Sequence, residues 1–495
     1  MIPKISHKAF QRRIDGMPML KLFVPFAVGV ALAAEWSLPM WLVVTMVLTG
    51  GALACLMRST VALLVATVAA GWLTMALHEL PMPSPTRSAR GSYRLYVEED
   101  GVRRGDWLRA EGQIEAWRNP ETGRWHRSSG RVMLRADTTL SLLGGSRLLF
   151  SGRIYPFRNG TPAFLQLMYR RGYRGSCYLT PRSLLEQEPA HAQTLHLRAA
   201  RRMRMQCDTT QAGAVVRAMT VGDRSGISTE LRAAYARSGM SHLLAVSGLH
   251  TGIVFVLINA VLWWLPLVRR GHLLRNLLAV VALWLFVASA GFPPSAIRAA
   301  VMCTLLQGAL ASSSSYRAMN AWAAAALGML LWHPQWLFDI GFQLSFVAVA
   351  AILLWGVPLC RRWYTRWRIV NYLVHALIIG LCASLATAPL SAYTFGVLPL
   401  VGLLLNPGVV LLGSLVVGGG LLLLLLPPFG GVLSPVVLWL AAWQNQLAVW
   451  IADLSFGASD YTPSGTTVVL LYLLFVAITV VGWSMEPKKS VHLSS

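Results

Sequence analysis

Four side chains able to hydrogen-bond or pass a proton, Ser241, His242, Ser247 and His250, share one run, Gly239-Met-Ser-His-Leu-Leu-Ala-Val-Ser-Gly-Leu-His-Thr-Gly252. The run opens a long apolar segment. Polar groups in hydrocarbon are costly and normally face a protein interior or a wet cavity. Gly239, Gly248 and Gly252 accompany them and permit close backbone approach. Such a pattern suits a lined pathway rather than a plain anchor. Ser247 and His250, three residues apart, also have the types of a nucleophile and its base. A hydrolase would need an oxyanion site and an orienting group as well, and neither is legible. Hydrogen bonding between helices is the commoner role. His242 and His250 lack a carboxylate or cysteine at ligand spacing, so no metal is expected there.

Two further places carry charge inside apolar sequence. Arg298 lies in Pro293-Pro-Ser-Ala-Ile-Arg-Ala-Ala-Val-Met302, a helix opened by proline. It has two readings, a pathway residue or a snorkelling residue one turn from the interface. Asp339 and Gln343 are four apart in Trp336-Leu-Phe-Asp-Ile-Gly-Phe-Gln-Leu-Ser-Phe346 and so share a helix face. Asp339 is a candidate partner for Arg298, or a structural ion pair or helix N-cap at the membrane edge. Phe342 and Phe346 could stack bases, or simply pack against lipid or core.

The elements that must hold these residues are mostly membrane helices. Of 495 residues, 55% are hydrophobic and only 13% charged. Long apolar stretches recur, so the fold class expected is a polytopic α-helical membrane protein. Residues 1–81 carry three spans, near 20–36, 38–56 and 60–78. The basic start (Lys4, Lys8, Arg12, Arg13, Lys21) reads as the flank of a retained first span rather than a signal peptide. Residues 82–190 change to polar, arginine-rich alternation. Strands are expected at Ser92–Val97, Asp106–Ala116, Gly130–Thr138, Arg147–Ile154 and Tyr173–Thr180. That number suits an all-β OB-like domain inserted after the third span, on the outer face by the positive-inside rule. Residues 191–240 read as an amphipathic helical connection on the surface, broken by the turn Gly222-Asp-Arg-Ser-Gly226. Residues 241–486 hold spans near 241–266, 276–291, 295–312, 319–333, 337–357, 371–394, 398–426, 432–452 and 466–484, about twelve in all. Asn406-Pro407 and Gly418-Gly-Gly420 make 398–426 a candidate for a broken or re-entrant segment.

The formal net charge is +23. Lipid and the positive-inside rule account for the loop arginines around 269–275 and 361–368. A polyanionic substrate is the sharper reading, because arginine forks match phosphate oxygens. The six cysteines share no metal spacing, and Cys177 with Cys207 is the one pairing open to a disulfide. No Gly-x-x-x-x-Gly-Lys-Ser/Thr loop occurs. Residues 371–451 contain no Asp, Glu, Lys or Arg, so an ion relay there would lack its usual carboxylates.

The order of these motifs resembles the ComEC competence family of DNA-uptake channels. The matching pieces are Gly222-Asp-Arg-Ser-Gly226, the Ser241–Gly252 run, Pro294-Ser-Ala-Ile-Arg-Ala299, Phe338-Asp-Ile-Gly-Phe-Gln-Leu-Ser-Phe346 and the stretch from Pro399 to Pro407. The resemblance implies a channel in the cytoplasmic (inner) membrane that passes single-stranded DNA during natural transformation. Asp223, Arg224, Ser241, His242, Ser247, His250, Arg298, Asp339, Gln343, Ser345 and Asn406 fall in its motifs. It also implies an external DNA receptor and a cytosolic helicase as partners; no cofactor is expected. Many members end in a metallo-β-lactamase-like domain, and this sequence has no His-x-His-x-Asp-His cluster. The expectation is therefore a channel rather than an enzyme, with any strand degradation supplied elsewhere. The rivals are a permease for another anionic or polymeric envelope solute and an intramembrane hydrolase using Ser247 and His250.

Overall fold

The computed structural model describes residues 16–484, except 37, 79–90, 120–121, 129, 158–164, 166–167, 170–171, 190–193, 266–270, 312–317, 400–401, 455–457 and 461. Three apolar helices come first, α1 (Pro18–Glu35), α2 (Met40–Met57) and α3 (Thr60–His78). Glycine lets α1 and α3 touch backbone to backbone. A Cβ on Gly29 would collide with the Val68 carbonyl, and one on Gly71 with the Phe26 carbonyl.

A β domain follows: β1 (Gly91–Val97), β2 (Val102–Arg104), β3 (Trp107–Arg118), β4 (Trp125–Arg127), β5 (Arg131–Asp137), β6 (Arg147–Gly152), β7 (Ile154–Tyr155), β8 (Tyr173–Leu179) and β9 (Leu184–Glu188). The five expected strands are all present, with four short additions. The sheet runs β7-β8-β5-β3-β1-β6-β9, and β2 and β4 pair with β3. The β5–β8 pair is parallel, while β1 with β3, β1 with β6 and β3 with β5 are antiparallel. Period-two alternation turns Tyr93, Leu95 and Val97 of β1 and Val132, Leu134 and Ala136 of β5 into one core. Cys177 is buried there as a free thiol. Cys207 is also free, so the two are not joined.

Three shorter helices, α4 (Leu195–Gln206), α5 (Gln211–Val221) and α6 (Thr229–Arg237), lead to a 3-10 turn at Ser241–Leu244. The expected surface connection is corrected here. Every residue of α5 from Gly213 to Val221 is buried, and the helix lies in the largest apolar cluster among the described residues.

The remaining helices are α7 (Gly248–Val261), α8 (Gly271–Ser289), α9 (Pro294–Ala311), α10 (Ala318–Trp332), α11 (Ile340–Arg362, with a π-helical turn at Ile352–Gly356), α12 (Arg368–Phe395), α13 (Gly402–Leu425), α14 (Gly430–Asp453) and α15 (Gly465–Ser484). A two-stranded ribbon, β10 (Val397–Pro399) and β11 (Ala458–Asp460), ties the loop before α13 to the one after α14. Among the described residues, eight helices are long and apolar enough to cross a membrane: α1, α2, α3, α8, α11, α12, α14 and α15. Three apolar segments are shorter, Gly248–Val261, Ala318–Trp332 and Val409–Leu425. The chain is thus a mostly helical, multi-pass membrane protein with a separate β domain.

Two expected boundaries change. The segment read as a span from 241 becomes helical only at Gly248. The candidate break at Asn406-Pro407 and Gly418-Gly-Gly420 is instead a continuous helix, α13. Its glycines serve packing: a Cβ on Gly419 would strike Val437 of α14, and one on Gly420 would strike Thr220 of α5.

Candidate functional site

The Gly222–Gly226 motif is built from one local requirement at a time. Gly222 ends α5 in the left-handed conformation, with φ of 80°, and its N–H returns to the Ala218 carbonyl. Asp223 then accepts from the Ser225 N–H at 3.1 Å and the Ser225 hydroxyl at 2.6 Å. Gly226 leaves room for Arg217, whose Nη2 a Cβ there would meet. Asp223 is buried and takes a 2.8 Å bond from Arg204 Nε, with Arg217 Nε at 3.7 Å. Arg204 also pairs with Asp100 of the β domain. Burial pushes the Asp223 carboxyl up, but the Arg204 and Ser225 bonds outweigh it and hold it below the usual carboxylate range. Arg224 is exposed, between the charges of Arg232 on α6 and Glu99 of the β domain.

Ser241 and His242 sit on the 3-10 turn and are both exposed, and His242 Nδ1 lies 3.2 Å from the Gly239 carbonyl. Ser247 is the N-cap of α7. Its hydroxyl accepts from the His250 N–H at 3.2 Å, and the Ser247 N–H lies 3.3 Å from His250 Nδ1. This capping box corrects the expected bond between helices: the Ser247 hydroxyl and His250 Nδ1 serve their own helix start. Thr251 adds a bond to the Ser247 carbonyl at 3.0 Å. The link to the next helix runs through Ser295, whose hydroxyl donates to the Val246 carbonyl at 2.6 Å. Gly248 packs beside Ala299 and the Ser295 carbonyl. His250 is fully buried, and its Nε2 finds no hydrogen-bond partner among the described residues.

Arg298 comes from the same helix, α9, one residue before Ala299. It is only 2% exposed, so it does not snorkel. Its Nη2 donates to the Gly341 carbonyl at 2.8 Å, and the guanidinium lies 5.9 Å from the Phe342 ring centre. Its Nε and Nη1 have no hydrogen-bond partner among the described residues. Asp339 is the N-cap of α11, accepting from the Phe342 N–H at 3.1 Å, and its charge acts favourably on Arg298. Gln343 donates to the Leu337 carbonyl at 2.8 Å. Phe342 and Phe346 pack with tilted rings, centres 4.3 Å apart, inside a buried cluster. Ser345 lies on α11 and is half-buried. Asn406 falls in α13, and its side chain lies outside the described residues.

The motifs thus form two groups. The Ser247–His250 cap, Ser295, Arg298, Asp339 and Gln343 converge where α7, α9 and α11 begin. Asp223 and Arg224 belong to a separate junction between the β domain and the helices. Sequence reading missed Arg204, Arg217 and Asp100 at that junction. The legible signal was Asp223 itself, a carboxylate beside a buried helix, which demands a cation. Among the described residues, no cluster of three or more His, Cys, Asp or Glu is placed to hold a metal ion.

The β domain carries a third feature that the motifs did not mark. Arg109 of β3 stands directly opposite Arg135 of β5, which stands opposite Tyr178 of β8. Arg135 Nη1 donates to the Tyr178 hydroxyl at 3.2 Å, with the guanidinium 5.6 Å from the ring centre. Trp107 and Tyr155 each lie edge-on to Tyr178 at 5.9 Å, and all three rings are about two-fifths exposed (39–43%).

The sequence profile of the family described as Competence protein matches residues 219–486, more than half of the chain. ComE operon protein 3 of Bacillus subtilis (strain 168) is 30% identical over 286 residues, which cover 56% of this chain and 35% of that protein. Competence protein ComA of Neisseria gonorrhoeae is 30% identical over 250 residues, covering 49% of this chain and 34% of that protein. The chain thus spans about a third of the length of these curated relatives. No solved structure matches it. The profile takes in the Gly222–Gly226 turn, the Ser247 cap and the Arg298–Asp339 neighbourhood alike, and the chain belongs to the competence-protein family, the ComEC family that its motifs resemble.

Proposed function

We propose that this protein is an inner-membrane channel that carries single-stranded DNA into the cytoplasm during natural transformation. The β domain, in this reading, is an OB-like receiver on the outer face. Its strand path β8-β5-β3-β1-β6, with β5 and β8 parallel, supports that fold. About twelve crossings are proposed, α7, α10, α13 and the Arg298-bearing α9 completing the count. The chain acts as a conduit and not as an enzyme. An external DNA receptor and a cytosolic helicase are the partners proposed.

The observation that carries the reading is the Arg109–Arg135 pair beside three exposed rings. Like charges directly opposite on a sheet repel, and a phosphate between them relieves the repulsion. Bases of a flexible strand stack on the flanking rings. Deeper in, Arg298 offers two nitrogens, Nε and Nη1, that have no partner among the described residues, to a passing phosphate. The Ser247–His250 and Asp339–Gln343 starts hold α7 and α11 around it.

The test has two parts. In a strain lacking this gene, marked linear DNA should stop outside the cytoplasmic membrane, and the wild-type gene should restore uptake. Purified full-length protein should bind labelled oligo-dT, and Tyr178→Ala should weaken binding about tenfold, within the stacking range of one base. Arg109→Gln with Arg135→Gln should flatten the salt dependence by one to two phosphate contacts, a slope change of about 0.7 each. Normal transformation without the gene, or oligo-dT binding indifferent to all three substitutions, refutes the respective half.

A further inference from the structure

The loop between α11 and α12 is strongly basic, aromatic and exposed. With the last two residues of α11 and the first of α12 it reads Arg361-Arg-Trp-Tyr-Thr-Arg-Trp-Arg368, and every residue from 361 to 370 is exposed. Trp363 is 63% exposed, Tyr364 81% and Trp367 65%. Among the described residues no carboxylate pairs with Arg361, Arg362, Arg366 or Arg368. None is at hand in sequence either, since residues 340–452 contain no Asp or Glu.

The loop is nevertheless a built structure. Asn371 grips Thr365 from both sides: its Oδ1 accepts from the Thr365 N–H at 2.7 Å and the hydroxyl at 2.9 Å, and its Nδ2 donates to the Thr365 carbonyl at 2.7 Å. His375 Nε2 lies 2.9 Å from the Trp363 carbonyl, and its ring lies 6.0 Å from that of Tyr364. Two residues of the α12 helix therefore hold the backbone of this turn at Trp363 and Thr365, between the arginines at its two ends.

The position of the loop follows from the chain path. The 3-10 turn Pro334–Phe338 lies against the end of α3, where Gln335 donates to the His78 carbonyl. The β domain follows α3, and α11 starts from that same side, so residues 361–368 lie at the opposite end of the membrane helices. The loop runs directly into exposed apolar residues of α12, Ile369, Val370 and Leu373, with Tyr372 among them. Amphipathic rings at the edge of an apolar surface belong at the headgroup level. A face that meets hydrocarbon immediately beyond the arginines favours lipid over a nucleic-acid strand.

We propose that residues 361–368 form a binding site for anionic phospholipid headgroups in the leaflet away from the β domain. The arginines take the phosphate and the rings seat at the acyl boundary. The site is independent of the DNA-channel reading. It is tested on full-length protein in detergent, titrated with phosphatidylglycerol or phosphatidylcholine and read by native mass spectrometry. Wild type should retain phosphatidylglycerol over phosphatidylcholine by about tenfold or more, given the usual gain per basic residue near an anionic surface. Replacing all four arginines with Gln should abolish most of that preference, and replacing them with Lys should keep much of it. Asn371→Ala, which keeps the charge and frees the loop, should reduce it partway. A wild type that does not discriminate the two lipids overturns the site, as does a Gln variant that keeps the full preference. Loss of oligo-dT affinity in the Gln variant with lipid preference intact also overturns it, and assigns the loop to the strand instead.

Discussion

Arg204 donates from Nε to Asp223 at 2.8 Å while its other nitrogens reach Asp100 and, at 3.4 Å, the Ser225 hydroxyl. One guanidinium on α4 therefore joins a carboxylate of the β domain to a carboxylate at the end of the buried helix α5. Neighbouring contacts reinforce the joint: Arg201 Nη2 donates to the Gly144 carbonyl at 3.0 Å, and His196 Nδ1 lies 3.1 Å from the Ser289 carbonyl. The β domain is held to the helices through polar bonds on α4.

Removing one partner of this joint should be costly, because the other is left charged and partly buried. Arg204→Ala leaves Asp223 with the Ser225 bonds and the more distant Arg217, and is expected to lower stability by about 3 kcal/mol. The dependence on pH has a definite sign. The folded-state pKa of Asp223 is depressed, so its contribution is full above the ordinary aspartate value of about 4 and is lost as pH falls through the lower folded value. The stability gap between wild type and Asp223→Asn should be flat from pH 6 to 8, about two units clear of that value, and close on further acidification. Thermal unfolding across pH measures it. A gap that widens in acid contradicts the assigned charge state.

Ser247 is a cap, and the prediction differs from that for a nucleophile. Ser247→Ala should lower stability by about 1 kcal/mol, the usual loss for an N-cap, and Ser247→Asp should restore most of it. DNA uptake should follow stability across Ala, Asp and Asn variants. An Asp variant that is stable but inactive would return Ser247 to a direct chemical role.

How far these features could be read in advance depended on the range of the interaction involved. The β1 and β5 strands announce themselves, because Tyr93, Leu95 and Val97, and Val132, Leu134 and Ala136, alternate locally. The helix α5 did not. Its charged neighbours on α4, Arg201, Arg202 and Arg204, gave the whole stretch a surface look. Two partners, the Asp208 carbonyl at 2.8 Å from Nη1 and the Asp223 carboxylate at 3.7 Å from Nε, let Arg217 be buried at 7% exposure. The Ser247–His250 bonds were assigned to the wrong partners because i to i+3 spacing fits both a cap and a face shared with another helix. The Arg109–Arg135–Tyr178 row is invisible in sequence, since it exists only once three strands pair in register.

Glycine at 420 is a packing requirement that the same logic makes testable. Thr220 of the buried α5 occupies the space a side chain would need. Gly420→Val should overpack that contact and destabilise by about 1–3 kcal/mol. Gly418 faces open space, and Gly418→Ala should be neutral or slightly stabilising because alanine favours the helix. Equal effects at the two positions would mean that the glycines act through helix flexibility rather than contact.

Arg298 separates a structural role from a transport role, because the two predict opposite signs. A buried guanidinium with Nε and Nη1 unbonded among the described residues is a net burden on the fold, each unsatisfied donor costing about 1–3 kcal/mol. Replacing it with an apolar side chain of similar length should therefore leave stability unchanged or raise it, as for other buried charges. Arg298→Met is the variant to make. Thermal unfolding in detergent should show a midpoint equal to or above wild type, while marked-DNA uptake in a complemented deletion strain should fall at least tenfold, if one phosphate contact worth about 1.4 kcal/mol is lost at the barrier. Arg298→Lys keeps the charge but not the fork and should fall in between. If Arg298→Met instead loses stability and keeps uptake in proportion to the folded protein present, the bond to Gly341 and the Asp339 charge are what the arginine is for, and it does not touch the strand.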